Sequence, residues 1–154
     1  MGEVVSWRPE HGADFERLNR GWIERYFEVE AGDLKVFGDP WAAIVRPGGQ
    51  IFFVVDEAGV RGTCAVIRHD AETYELAKMA VAPDARGRGY GDRLVEAAIT
   101  FARDAGARRL MLVSNTRLAP ALTLYRKHGF VSVPLDPATG YSRADIQMEL
   151  ELAR

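Results

Sequence analysis

Residues 79–91 read MAVAPDARGRGYG, and the last six, Arg86-Gly87-Arg88-Gly89-Tyr90-Gly91, place a glycine at every second position. Leu76 to Val81 before them is an apolar run suited to a strand, and after them Leu94, Ala98, Phe101, Ala102 and Ala105 recur at helical spacing. The stretch is therefore a strand, a glycine loop and a helix. The first turn of a helix leaves amide N–H groups unpaired, and glycines let a large anion come close to them. A pyrophosphate suits such a junction, because the helix dipole favours it and Arg86 and Arg88 offer charge-assisted bonds to phosphate oxygens. A dinucleotide fingerprint begun at Gly87 would need glycine where Asp92 stands, and no Gly-Lys-Ser/Thr follows, so neither that motif nor a Walker loop is present. A tight turn with solvated arginines would account for one glycine; it accounts poorly for this spacing between a strand and a helix.

Arg86-x-x-Gly89-x-Gly91 resembles the Q/R-x-x-G-x-G/A pyrophosphate loop of the GNAT superfamily, the N-acetyltransferases that use acetyl-coenzyme A. Downstream, Ala121-Leu122-Thr123-Leu124-Tyr125-Arg126-Lys127-His128-Gly129-Phe130 is similar to that family's closing A-x-x-L-Y-x-K-x-G-F. The specific part of the resemblance runs from Tyr74 to Val133.

The remainder of the chain is compatible with one such domain over residues 1–154. An apolar fraction of 47% and a charged fraction of 27% are those of an ordinary globular protein. A formal net charge of −2 argues against a nucleic-acid binder. The single cysteine, Cys64, has no internal disulfide partner and belongs inside a strand, which points to a cytoplasmic protein. The opening MGEVVSWRPE has neither a signal-peptide pattern nor a membrane span.

Glu3 to Trp7 is expected to form a first strand, and Phe15, Leu18, Trp22, Ile23, Tyr26 and Phe27 mark an amphipathic helix over His11 to Phe27. A second short helix is expected within Asp33 to Val45, with Asp39-Pro40 as cap and first position. Gln50 to Asp56 and Val60 to Arg68 read as an antiparallel hairpin, followed by a strand over Glu72 to Val81. After the loop and its helix come a buried strand at Leu110 to Val113, a helix from about Pro120 to Gly129, a strand at Phe130 to Val133 and a last strand within Tyr141 to Leu152. The order β-α-α-β-β-β-α-β-α-β-β describes an α/β fold with a mixed sheet between helices. The GNAT fold has the same order.

Acetyl transfer from a thioester to an amine requires the coenzyme to be held, the ammonium deprotonated, an oxyanion stabilised and the thiolate protonated. The resemblance implies acetyl-CoA as co-substrate at Arg86, Gly87, Arg88, Gly89, Tyr90 and Gly91, with the pantetheine arm lying like an extra strand along Met79, Ala80 and Val81. A backbone N–H of that segment would face the thioester oxygen. Asn115 is similar to a family residue that bonds the pantetheine arm; a turn residue ahead of a helix is the alternative. Tyr125 matches the tyrosine that stands near the coenzyme sulfur, where a phenol neutral at pH 7 is able to donate its proton, and it also lies on a core stripe with Leu118, Ala121 and Leu122. Glu75 stands at the same separation from the glycine loop as the glutamate base of the family's histone-acetylating branch; a solvent-facing strand residue is the alternative.

Lys78, a charge within an apolar strand, is read as snorkelling out at the sheet edge rather than lining a pocket. His128 fits a helix C-terminus, His11 and His69 fall in turns, and no cluster supports a metal site. The resemblance places acceptor specificity near Trp22, Tyr26, Trp41, Tyr141 and Arg143, although core packing would also account for most of the aromatic residues. Arg143 and Asp145 are expected on one strand face, meeting a polar substrate or each other. The expected partner is an amine of a small molecule or a protein, with a homodimer left open and neither nucleic acid nor membrane involved. A catalytically silent acyl-CoA sensor is the alternative, and the presence of both Tyr125 and Glu75 favours the enzyme.

Overall fold

The alternating apolar residues at the start of the chain form β1 (Glu3–Ser6), and the aromatic stripe that follows forms α1 (Gly12–Tyr26), which buries Phe15, Leu18 and Ile23. The computed structural model describes residues 2–138 and 141–152. The expected second helix is divided. Glu30 and Asp33 form a reciprocal capping box that starts α2 (Ala31–Gly38) ahead of the expected position, and Gly38 and Pro40 stop it. Trp41–Val45 is then a separate wide turn with π-type bonds, Arg46 N–H to Trp41 O at 2.8 Å and Gly49 N–H to Ile44 O at 2.9 Å. Only glycine fits at position 49, since a Cβ there would meet the Val66 carbonyl oxygen at 2.1 Å.

Three antiparallel strands follow, β2 (Gln50–Asp56), β3 (Gly59–Arg68) and β4 (Thr73–Val81). The glycine loop leads into α3 (Tyr90–Asp104), then β5 (Arg109–Ser114), α4 (Ala119–Lys127), β6 (Val131–Val133) and β7 (Ile146–Glu151). Together the strands make one seven-stranded sheet in the order β1-β2-β3-β4-β5-β7-β6, antiparallel throughout except where β5 joins β4. Adjacent residues of β2 show the two faces. Phe52 meets Phe101 of α3 with ring centroids 6.0 Å apart, whereas Phe53 meets His11 at 5.1 Å on the side of α1. Cys64 is fully buried within β3, as its sequence context indicates. No helix among the described residues is long and apolar enough to cross a membrane.

Two irregularities of β4 position the site. Its pairing with β5 stops after Thr73↔Arg109, Tyr74↔Leu110 and Glu75↔Met111, while β5 continues to pair with β7 as far as Ser114. The edge of β4 beyond Glu75 is thus left open on the side of β5. In addition, the register with β3 shifts between Thr63 and Ala65, and opposite that shift Lys78 has φ 54°. A non-glycine residue in the left-handed region costs roughly 1–2 kcal/mol, and bulges of this kind re-aim a side chain next to functional sites.

Candidate active site

A cleft of about 680 Å³ enters the sheet where β4 and β5 part. Its floor is the open edge of β4, including Met79, Ala80 and Val81, and Val113 with Ser114 of β5 forms the opposite wall. An extended chain laid there would find unpaired backbone groups, as a strand added to a sheet edge does. At one end the cleft meets Arg86, Gly87, Gly89, Tyr90 and Gly91 at the start of α3. No side chain caps this helix, and Gly89 precedes it at φ 79°. The first-turn amides therefore face the cleft without an internal acceptor, which fits a pyrophosphate.

The back of the loop is fixed by Asp56, which accepts the Tyr90 hydroxyl at 2.8 Å and pairs with Arg88 at 3.4 Å. Arg88 therefore differs from the expectation: it lies outside the cleft lining and braces the loop from behind, leaving Arg86 as the arginine that lines the cleft at the glycine loop. Asp92, in the first turn of α3, also lines the cleft, where a carboxylate would repel phosphate. Lys127 at 2.9 Å neutralises it and His128 Nε2 lies 2.8 Å away, so His128 contacts Asp92 rather than only its own helix end.

Tyr125 projects from α4 into the cleft lining, its ring packed against Phe130 with centroids 5.9 Å apart. Among the described residues no hydrogen bond to its hydroxyl is formed. Burial, with Cys64 nearby, raises the phenol above its ordinary value, so it holds its proton at neutral pH. Asn115 lines the cleft too, but its side chain is engaged: Nδ2 donates to the Arg143 carbonyl at 2.7 Å and Oδ1 accepts the Arg117 amide at 2.8 Å.

At the other end of the cleft, Asp33 is fully buried and organises a charged cluster. Its carboxylate accepts Lys78 Nζ at 2.5 Å, both terminal nitrogens of Arg143 at 2.8 and 2.7 Å, and the Glu30 amide at 2.9 Å. Burial works to raise the pKa of Asp33, but the bonds from Arg143, Lys78 and the Glu30 amide outweigh it and hold the carboxyl well below the usual range. Burial pulls Lys78 below its ordinary value, opposed by the Asp33 carboxylate. Tyr141 closes the cluster: its hydroxyl lies 3.2 Å from Lys78 Nζ, its ring lies 4.5 Å from both the Lys78 and Arg143 cations, and burial pushes its phenol up to about 12.

The expectation that Lys78 snorkels outward is therefore corrected. The bulge turns it inward, and an acid on α2, 45 residues away in the chain, supplies the counterion. Arg143 likewise precedes β7 and binds Asp33, while Asp145 accepts the Thr116 amide and hydroxyl, both at 2.9 Å. Glu75 lines the cleft beside this cluster, with Oε1 2.7 Å from Nε2 of His69.

A family model described as acetyltransferase (GNAT) domain matches residues 47–132. The chain belongs to the GNAT family. A streptothricin acetyltransferase from Streptomyces lavendulae is 45% identical over 127 residues, covering 77% of this chain and 67% of the relative. A mycothiol acetyltransferase from Corynebacterium glutamicum is 28% identical over 129 residues, 83% of this chain, and the chain spans only 38% of that protein's length. Among solved structures, a GNAT acetyltransferase from Staphylococcus aureus Mu50 superposes with a TM-score of 0.90 at 15% identity, covering 99% of each chain. A putative acetyltransferase from Salmonella typhimurium with its cofactor acetyl-CoA gives a TM-score of 0.78 at 18% identity, covering 100% of this chain and 95% of the other.

Of the acceptor residues expected for this GNAT chain, Trp22, Tyr26, Tyr141 and Arg143 line the cleft. Trp22 is held there by its indole N–H bond to the buried Asn19 at 3.0 Å, so its role is not core packing alone. Trp41 does not reach the cleft; it is exposed in a shallow groove beside Trp7 and Pro40. The residues that sequence reasoning passed over are Asp33, the inward Lys78 and His69. Glu30 and Asp33, three apart ahead of an apolar run, are the one local signal that would have marked the first of these.

Replacing Asp33 by asparagine should lower stability by about 3–5 kcal/mol, the cost of removing one partner from a buried ion pair, as read from denaturant unfolding at neutral pH. The depressed pKa sets the pH window. Asp33 contributes fully above its unfolded pKa of about 3.9, and the contribution is lost as the pH falls from there toward the folded-state value. The stability gap between wild type and variant should therefore narrow in acid, and a gap that stays constant down to the acid transition would rule out the charge as its source.

Proposed function

We propose that the protein is an acetyl-CoA-dependent N-acetyltransferase that moves an acetyl group to a primary amine by direct attack within a ternary complex. The observation that carries this reading is the continuity of one cleft. An unpaired strand edge leads to an uncapped, glycine-opened helix start, with Glu75 and Tyr125 along the same cleft. Bound acetyl-CoA would supply an activated acetyl thioester. Gly87, Gly89 and Gly91 with Arg86 would hold its pyrophosphate, and the edge of β4 its pantetheine arm. A backbone N–H at the bulge would face the thioester oxygen. Glu75 acts as base toward the ammonium, and Tyr125 donates a proton toward the coenzyme sulfur.

The acceptor is an amine of a small molecule or of a protein. Similarity to a streptothricin acetyltransferase supports the former, and Trp22, Tyr26 and Tyr141 give the acceptor end an aromatic wall. A buried, unpaired Cys64 accords with a cytoplasmic setting. Thiol release from acetyl-CoA, measured with phenethylamine, spermidine, methionine, an alanine-initiated peptide and streptothricin, tests the reading. Acetylation of at least one amine is the expected result. Tight acetyl-CoA binding without turnover on a wider amine set would instead identify an acyl-CoA sensor.

Binding itself is tested at Gly89. Valine there must adopt a φ near 79°, a conformation costing roughly 1–2 kcal/mol or more for a side chain of this type, and its branched Cβ would crowd the anion. Calorimetry of Gly89→Val should give acetyl-CoA affinity weakened about tenfold or more, since 1.4 kcal/mol is a factor of ten. Undiminished affinity would remove the pyrophosphate from this loop.

A further inference from the structure

The reaction proposed above releases a proton into a confined cleft on every turnover. As the C–N bond forms and the C–S bond breaks, an ammonium becomes an amide and loses two protons. One ends on sulfur and the other must reach solvent. Glu75, the base in that reading, has a side chain only 14% exposed, whereas the side chain of His69, 2.7 Å away, is 47% exposed. The imidazole thus connects an interior carboxylate to bulk water.

The turn that carries His69 is built to hold it. Its backbone N–H donates to the Thr73 carbonyl at 3.0 Å, and Asp70 accepts the amides of Glu72 and Thr73 at 2.8 Å each, closing the link between β3 and β4. Across this link Ile67 of β3 lies opposite Glu75 of β4, two residues before His69, which brings the His69 side chain just past the end of β3 to that of Glu75.

We infer that His69 is a positioning residue for the base, orienting the Glu75 carboxylate from outside and conducting the reaction's surplus proton from it to solvent. This inference rests on Glu75 acting as the base. In the resting pair His69 Nε2–H donates to Glu75 Oε1, and this bond raises the imidazolium above its ordinary pKa. When Glu75 takes the ammonium proton, the anion that sustained the imidazolium disappears, and the exposed ring releases a proton through Nδ1. One proton enters the pair and one leaves it; the exposed ring then flips to present its free Nδ1 to Glu75, takes the carboxyl proton there and restores the ion pair with no net change. The charges around this path are Asp70 on the turn, with Arg109 of β5 acting on it, and Lys78 and Tyr141 on the inner side of Glu75.

The test uses the amine of the five above with the highest kcat/KM. His69→Gln keeps a donor for Glu75 but does not titrate. It should fold, bind acetyl-CoA with wild-type Kd, lose on the order of tenfold in kcat at pH 7, and recover with added imidazole in a dose-dependent way. His69→Asn, too short to reach Glu75, should lose at least as much and serves if the glutamine variant does not fold. A wild-type rate in His69→Gln while Glu75→Gln is slow overturns the relay alone. A slow His69→Gln that imidazole does not rescue, with a pH profile parallel to wild type, overturns it as well. A wild-type rate in Glu75→Gln overturns the base reading beneath it.

Discussion

Replacing Tyr125 by phenylalanine is expected to lower kcat by about 10²- to 10⁴-fold, the range of a positioned general acid, while leaving acetyl-CoA affinity within about twofold. The split follows from what the hydroxyl does and does not touch. The ring packs on Phe130, and phenylalanine retains that contact. The hydroxyl has no hydrogen-bond partner among the described residues, so its removal leaves no partner unsatisfied. Burial raises this phenol above its ordinary value, which at first argues against it as a donor to a thiolate. The same surroundings raise a thiol, however: Cys64, fully buried next to Tyr125, is itself pushed up by burial. A coenzyme thiolate leaving beside Tyr125 would be made more basic by the same cause, so donor and acceptor move together. Single-turnover rates separate chemistry from product release, and an unchanged chemical step would leave Tyr125 with packing as its only role.

The parts of the site that could be read in the sequence are those carried by contiguous chain. The strand, glycine loop and helix around Gly89 follow from local periodicity and helix-end chemistry, and the structure places them as expected, with Arg88 turned to the back because Asp56 lies there. The charged cluster at the other end of the cleft was illegible for the opposite reason. Lys78, Asp33 and Arg143 are separated by 45 and 110 residues along the pairs they form, and no periodicity links them. A lysine in an apolar strand reads as an edge residue until the partner that neutralises it is known, and a one-residue bulge is enough to reverse the face it takes. His69 reads in the sequence as a turn residue, which it is. Its meaning came from the register of β3 against β4, which puts Glu75 within reach.

Glu75→Gln should be slow at pH 7 and regain rate as the pH rises. An alkyl ammonium with a pKa near 10.4 is free amine to only about one part in 2,500 at pH 7. A base that removes the proton within the bound complex relieves this, whereas the glutamine variant must wait for substrate that arrives deprotonated. Its kcat/KM should accordingly climb about tenfold per pH unit below the amine pKa, converging on the wild type at high pH. Glutamine preserves volume and still accepts a hydrogen bond from His69, so the 2.7 Å contact need not be lost with the charge. Loss of a carboxylate that merely braced the strand would depress the rate equally at every pH. The measurement is a pair of pH profiles of kcat/KM on one amine, with acetyl-CoA saturating. Parallel profiles would take Glu75 out of the proton path. They would leave the cluster of Asp33, Lys78 and Arg143 to select an amine that enters the cleft already neutral, since Lys78 and Arg143 both present cations to it.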